Sequence, residues 1–184
     1  MKKTVINRNG IAYFLMLLMV VLAACENDSR TDSGDIIKVG DRCPRFQVTD
    51  FNLVAHDMPD KEKPSLIFFF STDCSDCQKQ FPVIQKLFDK YGNDVHFIGI
   101  SRCESSAVIE SYIRKHKYTF PIAHNGQNIV YGMFARQYIP RVYIVKNNIV
   151  NYTTNDIDPL TFGTRGLPAR SPYQINYCII WRKR

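Results

Sequence analysis

Two apolar patterns alternate along the middle of the chain. SLIFFFS, residues 65–71, is an unbroken apolar and aromatic run between Pro64 and polar residues, which predicts a buried central strand. From Ser75 the period changes: Phe81, Ile84, Leu87, Phe88 and Tyr91 fall three and four apart, the stripe of an amphipathic helix. Pro82 removes one backbone donor and should kink that helix or tighten its start, and Gly92 can end it. VHFIGI, residues 95–100, is a second buried strand. Residues 105–116 read as a helix with Val108, Ile109, Tyr112 and Ile113 on one face, and residues 128–138 as another. Residues 141–145 and 148–153 read as strands joined in a hairpin at Lys146–Asn147, and a short leading strand is predicted over 46–51. Strands separated by helices predict an α/β fold with parallel pairs covered on both faces, closed by an antiparallel hairpin.

The two ends depart from this pattern. Lys2, Lys3 and Arg8 precede a short apolar run, Ile11 to Leu22, and Leu22-Ala23-Ala24-Cys25 follows. Charge, apolar core and small residues in that order are the layout of an export signal over residues 1–24. The run is short for a membrane-spanning helix, which needs about 20 apolar residues. L-A-A-C resembles the bacterial lipobox, which implies cleavage before Cys25 and lipidation of that cysteine. Polar residues 26–35, ENDSRTDSGD, extend this into a flexible tether, so 25–35 would join a lipid anchor to a domain over 36–160. Such a chain lies outside the cytoplasm, in the bacterial cell envelope on the periplasmic side, where disulfides persist.

Charge then excludes one class of partner. The formal net charge is +7, but three of those positive charges lie in the leading segment and five in residues 163–184, neither of which carries an acid. Subtracting three and five from +7 leaves about −1 for residues 26–162, with no basic stripe of the kind that binds nucleic acid.

The candidate chemistry is Cys74-Ser75-Asp76-Cys77, at the junction of the central strand and the first helix. A cysteine at a helix N-terminus faces unpaired N–H groups and the positive end of the dipole, both of which favour the reactive thiolate. The two-residue gap lets the second sulfur, one turn inside the helix, reach the first and close a small disulfide. C-x-x-C beside a βαβ pattern is a thioredoxin-like redox signal. A structural zinc site needs four ligands, and no second C-x-x-C exists; His116 and His124 are too far apart to form a local pair. An inert staple closing so small a loop would gain little chain entropy.

Four segments in order resemble the thioredoxin-fold redoxins of the AhpC/TSA-redoxin superfamily, in particular the membrane-anchored TlpA-like and ResA-like thiol–disulfide oxidoreductases. They are VGDRCPRFQVTDF (39–51, with Pro44 and Phe46), SLIFFFSTDCSDCQKQFP (65–82), VHFIGISRCESSAVIESYIRKHKYTFPIAHN (95–125) and YIPRVYIV (138–145). The resemblance implies a three-layer α/β/α fold with a mixed central sheet and a short N-terminal extension. It implies Cys74 as the attacking thiol, Cys77 as the resolving one, and a cis Pro140 that presents the backbone of Ile139 to a substrate strand. It also implies a monomer without cofactor, acting on protein disulfides and drawing electrons from a membrane thiol reductant.

The sequence departs from that family at tuning positions. Asp73 stands where Trp is common, and with Asp76 it places negative charge beside Cys74, which disfavours the thiolate and predicts a more reducing couple. Gln80 stands where many relatives carry a proton-moving Glu, so proton transfer at Cys77 would rely on water or on Asp76; Gln80 reads equally as an ordinary polar helix residue. A peroxiredoxin-like peroxidase is the main rival: Ser71 stands three before Cys74, and Arg136 or Arg141 would bind peroxide, but Ile67 stands where its motif has proline. A redox-inactive envelope binding module is a third class, against which both retained cysteines argue. Cys43 and Cys103 are left as a second disulfide or as two buried thiols. The basic tail, 161–184, has no amphipathic period, so the closing helix of the fold is missing or degenerate.

Overall fold

The structure, a computed structural model, describes residues 34–125 and 128–154. The expectations for the leader, for Cys25, for most of the tether and for the closing helix and tail lie outside these residues.

A five-stranded mixed sheet forms the middle layer. Its strands are β3 (Ser65–Phe70), β4 (His96–Ser101), β5 (Ile122–Ala123), β6 (Arg141–Lys146) and β7 (Ile149–Thr154), in the spatial order β5-β4-β3-β6-β7. β3 pairs in parallel with β4, and β4 with β5, while β6 runs antiparallel to both β3 and β7. β1 (Phe46–Thr49) and β2 (Ala55–Met58) form a separate antiparallel ribbon.

β3 lies at the centre because all six of its residues are buried, so it can be covered on both faces. Alternate side chains go to opposite sides. Leu66, Phe68 and Phe70 pack with Phe81, Ile84 and Leu87 of α1 (Ser75–Tyr91) and with Ile109 of α2 (Ser106–His116). Ile67 and Phe69 pack on the other side with Tyr131 and Phe134 of the short α3 (Tyr131–Phe134), and with Val48 and Met58 of the ribbon. The Phe81 ring meets those of Phe70 and Phe68 edge-on, with centroids at 4.7 and 5.3 Å. Truncating it to alanine would cost about 3–5 kcal/mol. In β4, a Cβ on Gly99 would come within 2.9 Å of the Phe120 ring, so glycine lets that ring close on the sheet. This is the three-layer α/β/α arrangement of the thioredoxin fold, with a mixed central sheet.

Several boundaries differ from the pattern. Residues 128–138 hold only the four-residue α3, because residues 34–37 pair with its end: Ile36 and Ile37 N–H donate to Phe134 O at 3.0 and 3.1 Å, and Arg136 N–H to Gly34 O at 2.8 Å. Ala135 is accordingly extended. The hairpin turns at Asn147–Asn148, one residue later than the pattern suggested. Both residues have positive φ, 53° and 62°, which Asn tolerates better than Lys. The leading strand is shorter than 46–51, since Asp50 leaves it to cap the turn, accepting from Asn52 and Val54 N–H, both at 2.9 Å. α1 runs through Pro82 and ends at Gly92, whose N–H reaches Phe88 O at 2.8 Å.

Candidate active site

The site lies at the C-terminal end of β3, where parallel strands of open α/β sheets present ligands and reacting groups. The turn Ser71–Thr72–Asp73 carries the chain from β3 into α1, and it is tied on three sides. Thr72 N–H donates to both oxygens of the Glu104 carboxylate, at 2.9 and 2.8 Å, and its hydroxyl also bonds Glu104. Ser101 Oγ donates to Glu104 at 3.0 Å, which fixes the carboxylate from β4. Gln78 Nε2 donates to Thr72 O at 2.7 Å, and Ser71 Oγ to the Asp73 carboxylate.

Cys74 is therefore held as the N-cap of α1, with extended backbone, and its Sγ accepts from Cys77 N–H at 3.3 Å. It is part-exposed, whereas Cys77 is fully buried. Burial pushes the Cys77 thiol far above its ordinary range, and the bond with Cys74 and the Asp76 charge push the same way. Both cysteines are free thiols.

The opposite wall is the turn Gln137–Pro140. The Cys74 thiol donates to Ile139 O at 3.7 Å, and the Ile139–Pro140 peptide is cis. Arg141, 1 % exposed, fixes this turn: Nε donates to Gln137 O and Tyr138 O at 3.0 and 3.1 Å, Nη2 to Gln137 O at 2.8 Å, and Nη1 binds the Asp35 carboxylate. Tyr131 Oη adds a bond to Tyr138 O at 2.8 Å. Tyr138 is left at φ 69°, a left-handed conformation that costs a non-glycine residue about 1–2 kcal/mol.

The structure thus brings Cys74, Cys77, Ile139 and Pro140 together. Asp73 faces Ser71, and Asp76 is paired with Lys79 Nζ at 2.8 Å, which offsets part of its charge beside Cys74. Gln80 is buried, one helical turn beyond Cys77 on the same side of α1. Arg141 is not available to a peroxide at Cys74, because its guanidinium is committed to Asp35 and to two carbonyls; Arg136 is exposed. Cys43 and Cys103 are unpaired, and only Cys43 is buried, which pushes its thiol up to about 12; Cys103 is exposed in the loop after β4. No group of three or more His, Cys, Asp or Glu among the described residues could hold a metal ion.

Sequence reasoning missed Glu104 and Asp35. Each acts on a residue distant in the chain, Thr72 and Arg141, and nothing in the local pattern marks either acid. It also missed a chain of acids and imidazoles at the other end of the sheet. Asp50 Oδ2 lies 3.2 Å from His56 Nε2, His56 Nδ1 lies 2.8 Å from His96 Nε2, and His96 Nδ1 lies 2.9 Å from Asp60 Oδ2.

Known proteins are similar to this chain in sequence and in fold. The pattern of the AhpC/TSA family matches residues 39–153, from ahead of β1 into β7. The thiol-disulfide oxidoreductase ResA of Oceanobacillus iheyensis is 25 % identical over 150 residues, covering 77 % of this chain and 78 % of that one. ResA of Geobacillus kaustophilus is 24 % identical over 72 % of this chain and 79 % of its own. Among solved structures, StoA of Bacillus subtilis superposes with a TM-score of 0.55 at 19 % identity, over 61 % of this chain and 87 % of that one. A secreted disulfide oxidoreductase of Mycobacterium tuberculosis does so with a TM-score of 0.55 at 16 % identity, over 62 % and 85 %. A cysteine pair at the head of α1 in this fold is the arrangement of a thiol–disulfide oxidoreductase site. With the family match spanning more than half the chain, the protein belongs to the AhpC/TSA family, as a thioredoxin-fold redoxin related to the ResA-, TlpA- and DsbE-like thiol–disulfide oxidoreductases.

Proposed function

We propose that this protein is an extracytoplasmic thiol–disulfide oxidoreductase that reduces protein disulfides through Cys74 and Cys77. The observation that carries the reading is their asymmetry: a part-exposed Cys74 Sγ at a helix N-terminus, 3.3 Å from Cys77 N–H, beside a fully buried Cys77. The Cys74 thiolate attacks one sulfur of the substrate disulfide. That S–S bond breaks, a Cys74–substrate disulfide forms, and the other substrate sulfur leaves as a thiolate and takes a proton. Cys77 then loses its proton and attacks Cys74 Sγ, so the second substrate sulfur leaves and a Cys74–Cys77 disulfide remains. Two electrons pass from the enzyme dithiol to the substrate, and an external dithiol returns them. No cofactor is needed.

Burial keeps Cys77 protonated until that second step. Gln80 cannot ionise, so the proton leaves through water or toward Asp76. Asp73 and Asp76 tune the couple, and Ile139 and Pro140 align the substrate strand. The electron donor is a membrane thiol reductant, and the protein works as a monomer. The leader, L-A-A-C ahead of a polar stretch, and the secreted relative support an envelope location: signal peptide 1–24, lipidated Cys25 with a tether to 35 on the periplasmic side, a redox domain over 36–160, and an atypical basic tail over 161–184. Among the described residues no helix is long and apolar enough to cross a membrane.

The test is a redox titration of the mature domain in defined dithiol buffers, with free thiols alkylated and counted. A single reversible couple, more reducing than glutathione and abolished in Cys74→Ser, is the expected result. Absence of a reversible pair, or rapid peroxide oxidation of Cys74 with Cys77 dispensable, would overturn the reading.

A further inference from the structure

Tyr138 occupies a position that a tyrosine fills only at a cost. Its φ of 69° is one that glycine or asparagine adopts more easily, yet the chain keeps a large aromatic side chain there, and that residue is 53 % exposed. The surroundings impose the conformation. Tyr131 Oη and Arg141 Nε both donate to its carbonyl, at 2.8 and 3.1 Å, and both donors belong to side chains that are 1 % exposed. Tyr131 is itself covered by the Arg102 guanidinium, 4.8 Å from its ring centroid. The Tyr138 carbonyl is thus anchored inward while much of the residue stays in solvent. The next carbonyl, that of Ile139, is the one 3.7 Å from Cys74 Sγ.

We infer that Tyr138 is a specificity-determining residue, which takes an apolar or aromatic side chain flanking the cysteine of a polypeptide disulfide. The inference rests on the oxidoreductase reading above. Backbone strain persists where the surrounding structure over-determines it, and it clusters at sites of ligand contact. Tyrosine offers a large, rigid, amphipathic contact with few torsions to freeze, which is why it recurs among residues that dominate binding. A substrate held on Cys74 runs past Ile139, so the residue beside its cysteine meets Tyr138. A small disulfide without flanking residues reaches Cys74 without that contact.

The experiment compares the wild type with Y138N, which tolerates the same φ, and with Y138F, which keeps the ring. Three disulfides are used: a peptide disulfide with leucine beside each cysteine, the same peptide with serine there, and bis(2-hydroxyethyl) disulfide. Y138N should raise KM about tenfold for the leucine peptide, lower kcat/KM far less for the serine peptide and for bis(2-hydroxyethyl) disulfide, and unfold no earlier than the wild type. Y138F should restore the leucine-peptide KM. An unchanged leucine-peptide KM in Y138N, or an equal loss on all three disulfides, would overturn the inference. Y138G supplies the same comparison where Y138N folds poorly. A wild type that reduces none of the three takes down the oxidoreductase reading, and this inference with it.

Discussion

Thr72 and Glu104 join the two loops at the C-terminal end of the sheet: the Thr72 amide donates to both oxygens of the Glu104 carboxylate, at 2.9 and 2.8 Å. Thr72 is two residues before Cys74, so the bond fixes the turn that aims the sulfur. Truncating Glu104 to alanine would leave a largely buried N–H and hydroxyl without their acceptor, which costs about 2–3 kcal/mol. Glu104→Ala should therefore lower the urea midpoint and slow Cys74 alkylation in the folded protein. Glu104→Gln keeps one acceptor oxygen and should recover most of both. Equal loss in the two variants would mean that charge, not the fixed turn, is what matters.

The fold was legible in the sequence where the pattern was redundant. SLIFFFS reads as a central strand because every position is apolar, and the shift to a three-and-four spacing after Ser75 reads as a helix for the same reason. The Cys74–Cys77 spacing placed the reactive pair at their junction. The ribbon strand Ala55–Met58 was not legible, since only His56 and Met58 face inward and one of them is polar. The predicted helix over 128–138 failed because pairing with residues 34–37 outweighs local propensity there. Asp35 and Glu104 were invisible for a related reason. An isolated acid carries no sign of the distant arginine or amide it will meet.

Arg141 and Asp35 form a pair in which the arginine side chain is 1 % and the aspartate 15 % exposed. Removing one partner of such a pair strands the other charge, at a cost of about 3–5 kcal/mol. Asp35→Ala should lower stability in a urea titration, and Arg141→Met should do so as well. The double variant should lose much less than the two single losses added together. Simple additivity would show that the two side chains do not act as a unit.

The four described cysteines should react in two classes. At neutral pH, alkylation of the reduced, folded protein followed by mass spectrometry should label Cys103 and Cys74 first, with Cys43 and Cys77 protected by burial. The buried pair also sets a pH dependence. Both thiols have folded-state values raised above the ordinary 9.0, to about 12 for Cys43. Above pH 9 the unfolded chain therefore releases protons that the folded chain keeps. This contribution to stability is complete below pH 9 and is lost as pH rises toward 12. Cys43→Ala should remove one proton's worth of that slope, about 1.4 kcal/mol per pH unit, in denaturation curves taken from pH 9 upward. An unaltered slope would place the Cys43 thiol within reach of water.

Asp60 gives the opposite sign at low pH. It ends the chain that runs through His96 and His56 to Asp50, and it caps the loop before β3 by accepting from Glu62 and Lys63 N–H, both at 2.8 Å. Partial burial works against its charge, but the two backbone bonds and His96 outweigh it and hold the carboxyl below its ordinary range. A depressed carboxylate contributes stability that is complete above its unfolded value and is lost as pH falls through its folded one. Asp60→Asn should therefore destabilise the domain most at pH 5 to 6, in roughly the range where carboxylates are ionised. The gap between wild type and variant should narrow as the buffer is taken down toward pH 3, well into roughly the range where carboxylates protonate. Urea midpoints at several pH values measure it directly. A gap that stays constant would mean that the side chain acts through shape alone. A gap that widens in acid would mean that the folded protein holds the Asp60 proton more tightly than the unfolded chain does, so that the carboxyl is raised and not depressed.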